Sequence, residues 1–232
     1  MITLKLNEEK YKLPENWSEV SLGKFQQISN IIFESKLQYI VEILKIFTGL
    51  EESIIINIEK GQFGQLSKTL GFISNHEFKK TIIPHFEIDG ITYTFKSLQG
   101  LTLGEVVSIE TLIDQSGNNM INMIHKLIAI LYQEGDKEWD ASQVERLGNL
   151  FQEKLMINNF YNILVFFYHI EKEYYVLMRA YLENQKKKEK MKNQTKLIRV
   201  LEWIKSFIGS HWSRGWQMGI SLSSKKSMRK TT

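Results

Sequence analysis

Histidine is the side chain best suited to acid–base and metal chemistry near neutral pH. The chain has five histidines, far apart in the sequence: His76, His85, His125, His169 and His211. None is followed by a second histidine or by paired carboxylates at the spacing of metal ligands on one helix face. His169-Ile170-Glu171 has the H-x-E order of the zinc deaminases, but the chain contains no cysteine to complete that ligand set. The spacing therefore predicts no metal site.

Other common catalytic and nucleotide-binding patterns are also missing from the sequence. It contains no G-x-x-x-x-G-K-[ST] phosphate loop, no G-x-G-x-x-G fingerprint and no G-x-S-x-G nucleophile elbow. The absence of cysteine excludes disulfides, thiolate zinc ligands and a cysteine nucleophile. We therefore predict no catalytic residues and no cofactor, and we expect a non-enzymatic protein. The alternative is an enzyme whose catalytic carboxylates lie far apart in the sequence and come together only in the folded protein.

The charge is unevenly distributed along the 232 residues. Residues 184–232 carry 13 Lys and Arg against 2 acidic residues, whereas residues 1–183 carry 17 basic and 24 acidic residues. An acidic body therefore precedes a basic C-terminal segment, the name used below for residues 184–232. Its first part, Lys186, Lys187, Lys188, Lys190 and Lys192, is predicted to act electrostatically. The last residues, from Ser221 on, are expected to be disordered, because they have little to bury.

The basic C-terminal segment also contains an amphipathic pattern. Apolar residues recur at helical spacing: Leu197, Ile198, Leu201, Ile204, Ile208 and Trp212. Three interpretations remain open: the lysines and tryptophans contact nucleic acid, the helix lies on an anionic membrane, or its apolar stripe docks into a groove on a protein partner. We favour docking, with partner-binding candidates Trp203, Phe207, Trp212 and Trp216.

An internal repeat organises the rest of the chain. A shift of 82 residues aligns two alternating segments, Leu4 to Leu13 with Phe86 to Phe95, and a shift of 81 aligns Ser21-Leu22-Gly23 with Thr102-Leu103-Gly104. Each alternating segment predicts a β-hairpin, and Asp89-Gly90 is a strong signal for a tight turn. Ser21 and Thr102 can each cap a following helix, and Glu105 completes a capping box. The recurrent glycine predicts close packing of another backbone.

These patterns predict an α+β protein, mainly α. We expect two homologous halves, 1–82 and 83–183, each consisting of a β-hairpin followed by several helices. The halves are expected to pack around a helix from Phe160 to Met178. The basic helical extension, 184–232, follows them and is expected to be partly disordered. Ile32 is expected to continue the apolar stripe of the first long helix. Trp17 is expected to anchor the first hairpin to that helix. The stretch from Gln133 to Asp140 is typical of a polar loop.

The order of these motifs resembles a family of tailed-bacteriophage proteins, the tail assembly chaperone-like proteins of phages of Bacteroidota-type hosts. The resemblance covers about residues 1–182 and rests on Tyr11 to Phe25, Phe47-Thr48-Gly49-Leu50, Phe86 to Gly90 and Leu101 to Glu105. It implies a virion morphogenesis protein that binds tape-measure, tail-tube or neck subunits. The basic C-terminal segment departs from the family pattern.

The resemblance and the sequence together set the functional expectations. We expect a protein-binding factor in tail or virion assembly; the alternatives are a structural component of the mature particle and a nucleic-acid-binding protein that acts through the basic C-terminal segment. Since no apolar run approaches the roughly 18 residues of a membrane span, and the first residues lack a signal-peptide pattern, we expect a soluble protein of the host cytoplasm or the virion.

Overall fold

The computed structural model describes residues 1–6, 9–74, 81, 83–97, 100–117, 119–135, 137, 140–167 and 169. The basic C-terminal segment lies outside the described residues, as does most of the predicted Phe160 to Met178 helix. Residues 1–73 and 85–160 form one compact unit, and the remaining described residues belong to a second unit. Both predicted hairpins fall in the first unit. The division of the chain into halves at residues 82–83 stays a prediction.

Two antiparallel hairpins form where the alternating segments predict them. Strands β1 (Ile2–Leu6) and β2 (Glu9–Leu13) pair with Leu4 opposite Tyr11. Strands β3 (His85–Ile88) and β4 (Ile91–Phe95) pair with Phe86 opposite Tyr93. Leu4 and Tyr11 lie 82 residues before Phe86 and Tyr93, respectively. The shift that aligns the two sequences therefore also aligns the strand pairing of the two hairpins. The turn joining β3 and β4 has positive φ at Asp89 (53°) and Gly90 (78°), as the hairpin signal predicts.

A third strand extends the second hairpin. Strand β5 (Tyr132–Glu134) pairs antiparallel with β4 and places Tyr132 opposite Phe95. The prediction of a loop from Gln133 to Asp140 was therefore wrong at its start. A three-residue strand has too few residues for a period-two pattern, and its pairing partner lies about 40 residues away in the sequence.

Helices account for most of the described chain, with small antiparallel sheets beside them. Their bounds are α1 Leu22–Ser29, α2 Lys36–Thr48, α3 Glu52–Ile55, α4 Lys60–Thr69, α5 Leu103–Ser116, α6 Ile124–Leu131 and α7 Ala141–Lys154. Residues 157–167 are also helical. The predicted caps are confirmed: Ser21 accepts from the backbone of α1, and Thr102 forms a capping box with Glu105 at the start of α5.

The core of the first unit is built on α6 and an aromatic cluster. Every residue of α6 except Lys126 is buried, and Ile124, Leu127 and Ile128 are fully covered. Phe86 of β3 lies 5.2 Å from Phe151 of α7 between ring centroids, and Tyr93 lies 4.9 Å from the same ring in an edge-on arrangement. Helix α7 therefore packs on both α6 and the second hairpin and fixes their positions.

Trp17 has the anchoring role that the sequence predicts. The side chain is buried and meets Phe25 of α1 edge-on at 5.6 Å, with Phe72 edge-on at 5.3 Å on another side. Such contacts contribute about 0.5–1.5 kcal/mol beyond simple burial. The loop between β2 and α1 is thereby attached to the helix that follows.

The expected continuation of the α1 stripe through Ile32 was wrong. Helix α1 ends at Ser29, and Ile32 is 93% exposed in the loop that leads to α2. Asn30 supplies the physical reason, because its side chain donates to the carbonyl of Gln26 at 2.9 Å and to Asn122 Oδ1 at 2.6 Å. These hydrogen bonds satisfy groups at the end of the helix and fix the point where the chain leaves it.

Candidate protein-binding surfaces

None of the site residues predicted from the sequence can be placed. Trp203, Phe207, Trp212 and Trp216, and the lysines Lys186, Lys187, Lys188, Lys190 and Lys192, all lie outside the described residues. Their roles stay predictions. The described part of the chain instead presents two apolar surfaces and a buried polar cluster that the sequence did not single out.

The first surface, called the α1–α2 surface, consists of Ile32, Phe33 and Leu37. Ile32 is 93% exposed, Leu37 is 60% exposed and Phe33 is also solvent-accessible. Their positions are held by local contacts, since the Phe33 and Tyr39 rings lie 4.6 Å apart and the side chain of Ser35 caps α2. Single exposed apolar residues are ordinary on protein surfaces, and larger apolar patches are characteristic of interaction sites. These three residues fall within six consecutive positions of the sequence.

The second surface, called the α5 surface, consists of Leu103, Gly104 and Val107 in the first turns of α5. Leu103 is 80% exposed and Val107 is 52% exposed. Residues 103 and 107 lie one helical turn apart, so both side chains lie on the same side of the helix. The opposite side buries Ile109, Leu112 and the charged residue Glu105.

Glu105 is held in the interior by hydrogen bonds. Its carboxylate accepts from Lys96 Nζ at 2.8 and 3.0 Å and from the backbone N–H of Thr102 at 2.6 Å. Burial alone would raise the pKa of Glu105, but the hydrogen bonds from Lys96 and Thr102 outweigh that effect and hold the pKa below its usual value. The ion pair therefore fixes the first turn of α5 to the end of β4 and orients the α5 surface outward.

A buried polar cluster joins α1 to α6 and α7. Gln26 Nε2 donates to the carbonyl of Ile121 at 2.6 Å and lies 3.0 Å from His125 Nδ1, while Gln26 Oε1 accepts from Gln152 at 2.8 Å. Because Nδ1 accepts, the ring proton of neutral His125 is assigned to Nε2. Burial lowers the pKa of His125 to about 4, with a smaller contribution from the neighbouring Lys126 ammonium. His125 is thus a neutral structural side chain at physiological pH.

A small cleft beside β5 is too small for an ordinary ligand. Its volume is about 30 Å³, enough for roughly two water molecules. The acidic side chains that line it already have partners: Glu105 with Lys96, Glu134 with Lys137 at 2.5 Å, and Asp140 with the backbone of α7 that it caps. These acidic side chains therefore form two structural ion pairs and a helix cap.

Across the described ranges, no three His, Asp or Glu side chains are grouped closely enough to hold a metal ion. In the same part of the chain, no helix combines the length and hydropathy needed to cross a bilayer.

Sequence reasoning missed both apolar surfaces for a common reason. Ile32 and Leu103 continue apolar helical patterns, and such patterns indicate burial without saying which positions a neighbouring element covers. A signal for the first surface was present in Asn30 and Ser35, which can end one helix and cap the next. No local signal distinguishes Leu103 from its repeat equivalent Leu22, which is fully buried.

Comparison with protein-family models, with curated proteins and with solved structures gave no match to this chain. Function is therefore inferred from the sequence pattern and from the described surfaces.

Proposed function

We propose that this chain is a non-enzymatic protein-binding factor in bacteriophage tail or virion assembly. The phage setting comes from the motif resemblance in the body of the chain. The observation that carries the binding role is the α1–α2 surface, where Ile32, Phe33 and Leu37 are exposed together. The proposed partners are phage structural subunits of the tape-measure, tail-tube or neck type.

The α1–α2 surface is well suited to binding because its backbone is already ordered. The backbone N–H of Glu34 donates to Gln38 Oε1 at 3.0 Å, and the N–H of Gln38 donates to Ser35 Oγ at 3.2 Å. A preorganised loop loses less conformational entropy when a partner binds, so more of the apolar burial appears as affinity. Full burial of Ile32, which is 93% exposed, would supply roughly 1.5–3 kcal/mol, and that of Leu37, which is 60% exposed, roughly 1–2 kcal/mol, before the costs of association.

The proposal includes the duplication of a hairpin-plus-helices unit. It is supported by the coincidence of the two hairpin registers and by the recurrence of a capped helix start at Ser21 and Thr102. The copies diverge after the first turns of their helices: α1 ends at Ser29, whereas α5 continues to Ser116. The α1–α2 surface occupies the point of divergence, so it is a feature of the first copy alone.

The test is site-specific photo-cross-linking in infected cells. A photoreactive amino acid replaces Ile32 in the full chain, and a matched control carries it at Gln62, an exposed position on α4. We expect tape-measure, tail-tube or neck subunits to be cross-linked at position 32 and not at position 62. Equal recovery from both positions, or recovery without any phage structural protein, would contradict the proposed function.

A second measurement separates transient assembly factor from structural component. Peptide mass spectrometry of purified mature particles would show whether the chain is retained and in how many copies. Absence from particles together with abundance in the lysate is expected for an assembly chaperone. A copy number that matches a ring or shell would replace the chaperone role with the structural one.

A further inference from the structure

The first turns of α1 show how a neighbouring element covers this type of helix start. Leu22 is fully buried, and its backbone N–H donates to the carbonyl of Leu155, just after α7, at 2.7 Å. A Cβ atom placed on Gly23 would lie 2.8 Å from the carbonyl oxygen of Gln152. Gln152 also donates to Gln26 at 2.8 Å. The end of α7 therefore packs directly against positions 22, 23 and 26, and glycine at position 23 permits this close approach.

The equivalent positions on α5 are exposed. The shift of 81 residues relates positions 22, 23 and 26 to Leu103, Gly104 and Val107. All three are exposed, and Leu103 retains 80% of its accessible surface. The second copy thus repeats the leucine and the glycine of a helix-packing face, while no described helix of the same unit covers it as α7 covers α1. The α5 surface is therefore open to a helix from elsewhere.

The charges around the α5 surface define the chemistry of the helix that would cover it. Helix α5 contains Glu105, Glu110 and Asp114 and no lysine or arginine. Glu105 is turned inward to Lys96, but Asp114 is exposed in the last turn, where the helix dipole is already negative. An acidic residue at that place destabilises an isolated helix, and a cationic partner would offset this cost. The surface therefore fits a helix with an apolar stripe and basic flanks.

We propose that the α5 surface binds the basic amphipathic stretch of residues 196–212 from a second copy of this chain. That stretch has its apolar positions at helical spacing, among them Ile204 and Ile208, with Lys196, Arg199 and Lys205 between them. Each copy carries one apolar face with the exposed carboxylate of Asp114 on its helix and one basic apolar stretch, so the face of one copy can take the stretch of the next, head to tail. Repetition of such a contact builds a ring or an open filament. This contact is separate from the α1–α2 surface and does not depend on the phage role.

The test uses full-length variants of both sides of the contact. The face variant is Leu103→Ser with Val107→Ser, and the stretch variant is Ile204→Ser with Ile208→Ser. Because Leu103 and Val107 are exposed, the face variant should keep the wild-type circular dichroism spectrum. A control variant, Ile32→Ser with Leu37→Ser, removes exposed apolar side chains of the same kind from the other surface.

Sedimentation velocity over a range of concentrations measures the association. We expect the wild type and the control variant to self-associate, and each test variant alone to associate at least about tenfold more weakly, since central apolar contacts dominate interface energies. An equimolar mixture of the two test variants should form a heterodimer and stop there, because one retains the stretch and the other retains the face. Added salt should weaken wild-type association by screening the charges.

Three outcomes would overturn the proposal. The first is a wild-type chain that stays monomeric at every concentration. In the second, the control variant loses as much association as the face variant. The last is a mixture that associates no better than its separate components, because a head-to-tail contact requires that the two variants complement each other.

Discussion

Replacement of His125 by asparagine should remove a specific part of the acid sensitivity of this protein. Asn Oδ1 can accept the hydrogen bond that Gln26 Nε2 makes to His125 Nδ1 at 3.0 Å, so the change keeps the acceptor and deletes the titrating ring. The smaller side chain leaves some space beside Gly148, where an added Cβ would lie 3.3 Å from the ring. We expect a pH-independent loss of about 1–2 kcal/mol in the free energy of unfolding from this space.

The pH-dependent part follows from the pKa of His125. Burial lowers this pKa from 6.5 to about 4 in the folded protein. Because the folded-state pKa is the lower one, the unfolded chain binds the proton first as the pH falls. The stability supplied by neutral His125 is therefore complete above about pH 6.5, falls between pH 6.5 and 4, and is lost below that. The full loss is about 3 kcal/mol, and about 2 kcal/mol of it is reached by pH 5.

The assay is urea unfolding of the wild type and of His125→Asn at pH 7.5 and at pH 5. Other groups titrate equally in both proteins, so their contributions cancel in the difference between the two. We expect the wild type to be more stable at pH 7.5 and to lose about 2 kcal/mol relative to the variant at pH 5. A difference in unfolding free energy that is the same at both pH values would refute the assignment of His125 as a buried neutral side chain.

Three further changes test the packing and the turns by chemical denaturation. Gly23→Ala should destabilise the protein by roughly 1–3 kcal/mol, because the new Cβ would lie 2.8 Å from the Gln152 carbonyl oxygen. The control Gly64→Ala, in α4, should stabilise the protein by about 0.5–1 kcal/mol, because a Cβ there has no neighbouring atom within 4 Å. Thr102→Ala should cost about 1 kcal/mol through loss of the capping box, and Thr102→Ser should cost little. Gly90→Ala should cost about 1–2 kcal/mol because φ is +78° at this position. An unchanged midpoint for Gly23→Ala, or equal effects of the two Thr102 variants, would contradict these contacts.

Several features of the fold could be predicted from the sequence because their physics is local. The Asp89-Gly90 turn depends on two adjacent residues that tolerate positive φ, and both adopt it. The capping box of Thr102 and Glu105 needs only a separation of three residues. Hairpins and helix starts were therefore predictable. The recurrent glycine predicted close backbone packing at Gly23 and at Gly104; the structure confirms it at Gly23, whereas Gly104 is exposed. The predicted contact residues of the basic C-terminal segment remain untested, since they lie outside the described residues.

Other features were decided by tertiary structure, because they depend on groups far apart in the chain. Leu22 and Leu103 occupy equivalent positions in the sequence repeat, yet the first is buried by the end of α7 and the second is exposed. Strand β5 exists because β4 offers it a free edge, and Gln26 is buried because Ile121, His125 and Gln152 supply its hydrogen bonds. The sequence by itself determined where turns and helices begin. Which apolar faces remain uncovered was determined only by the packing of distant elements, since burial is a property of the neighbour as well as of the residue.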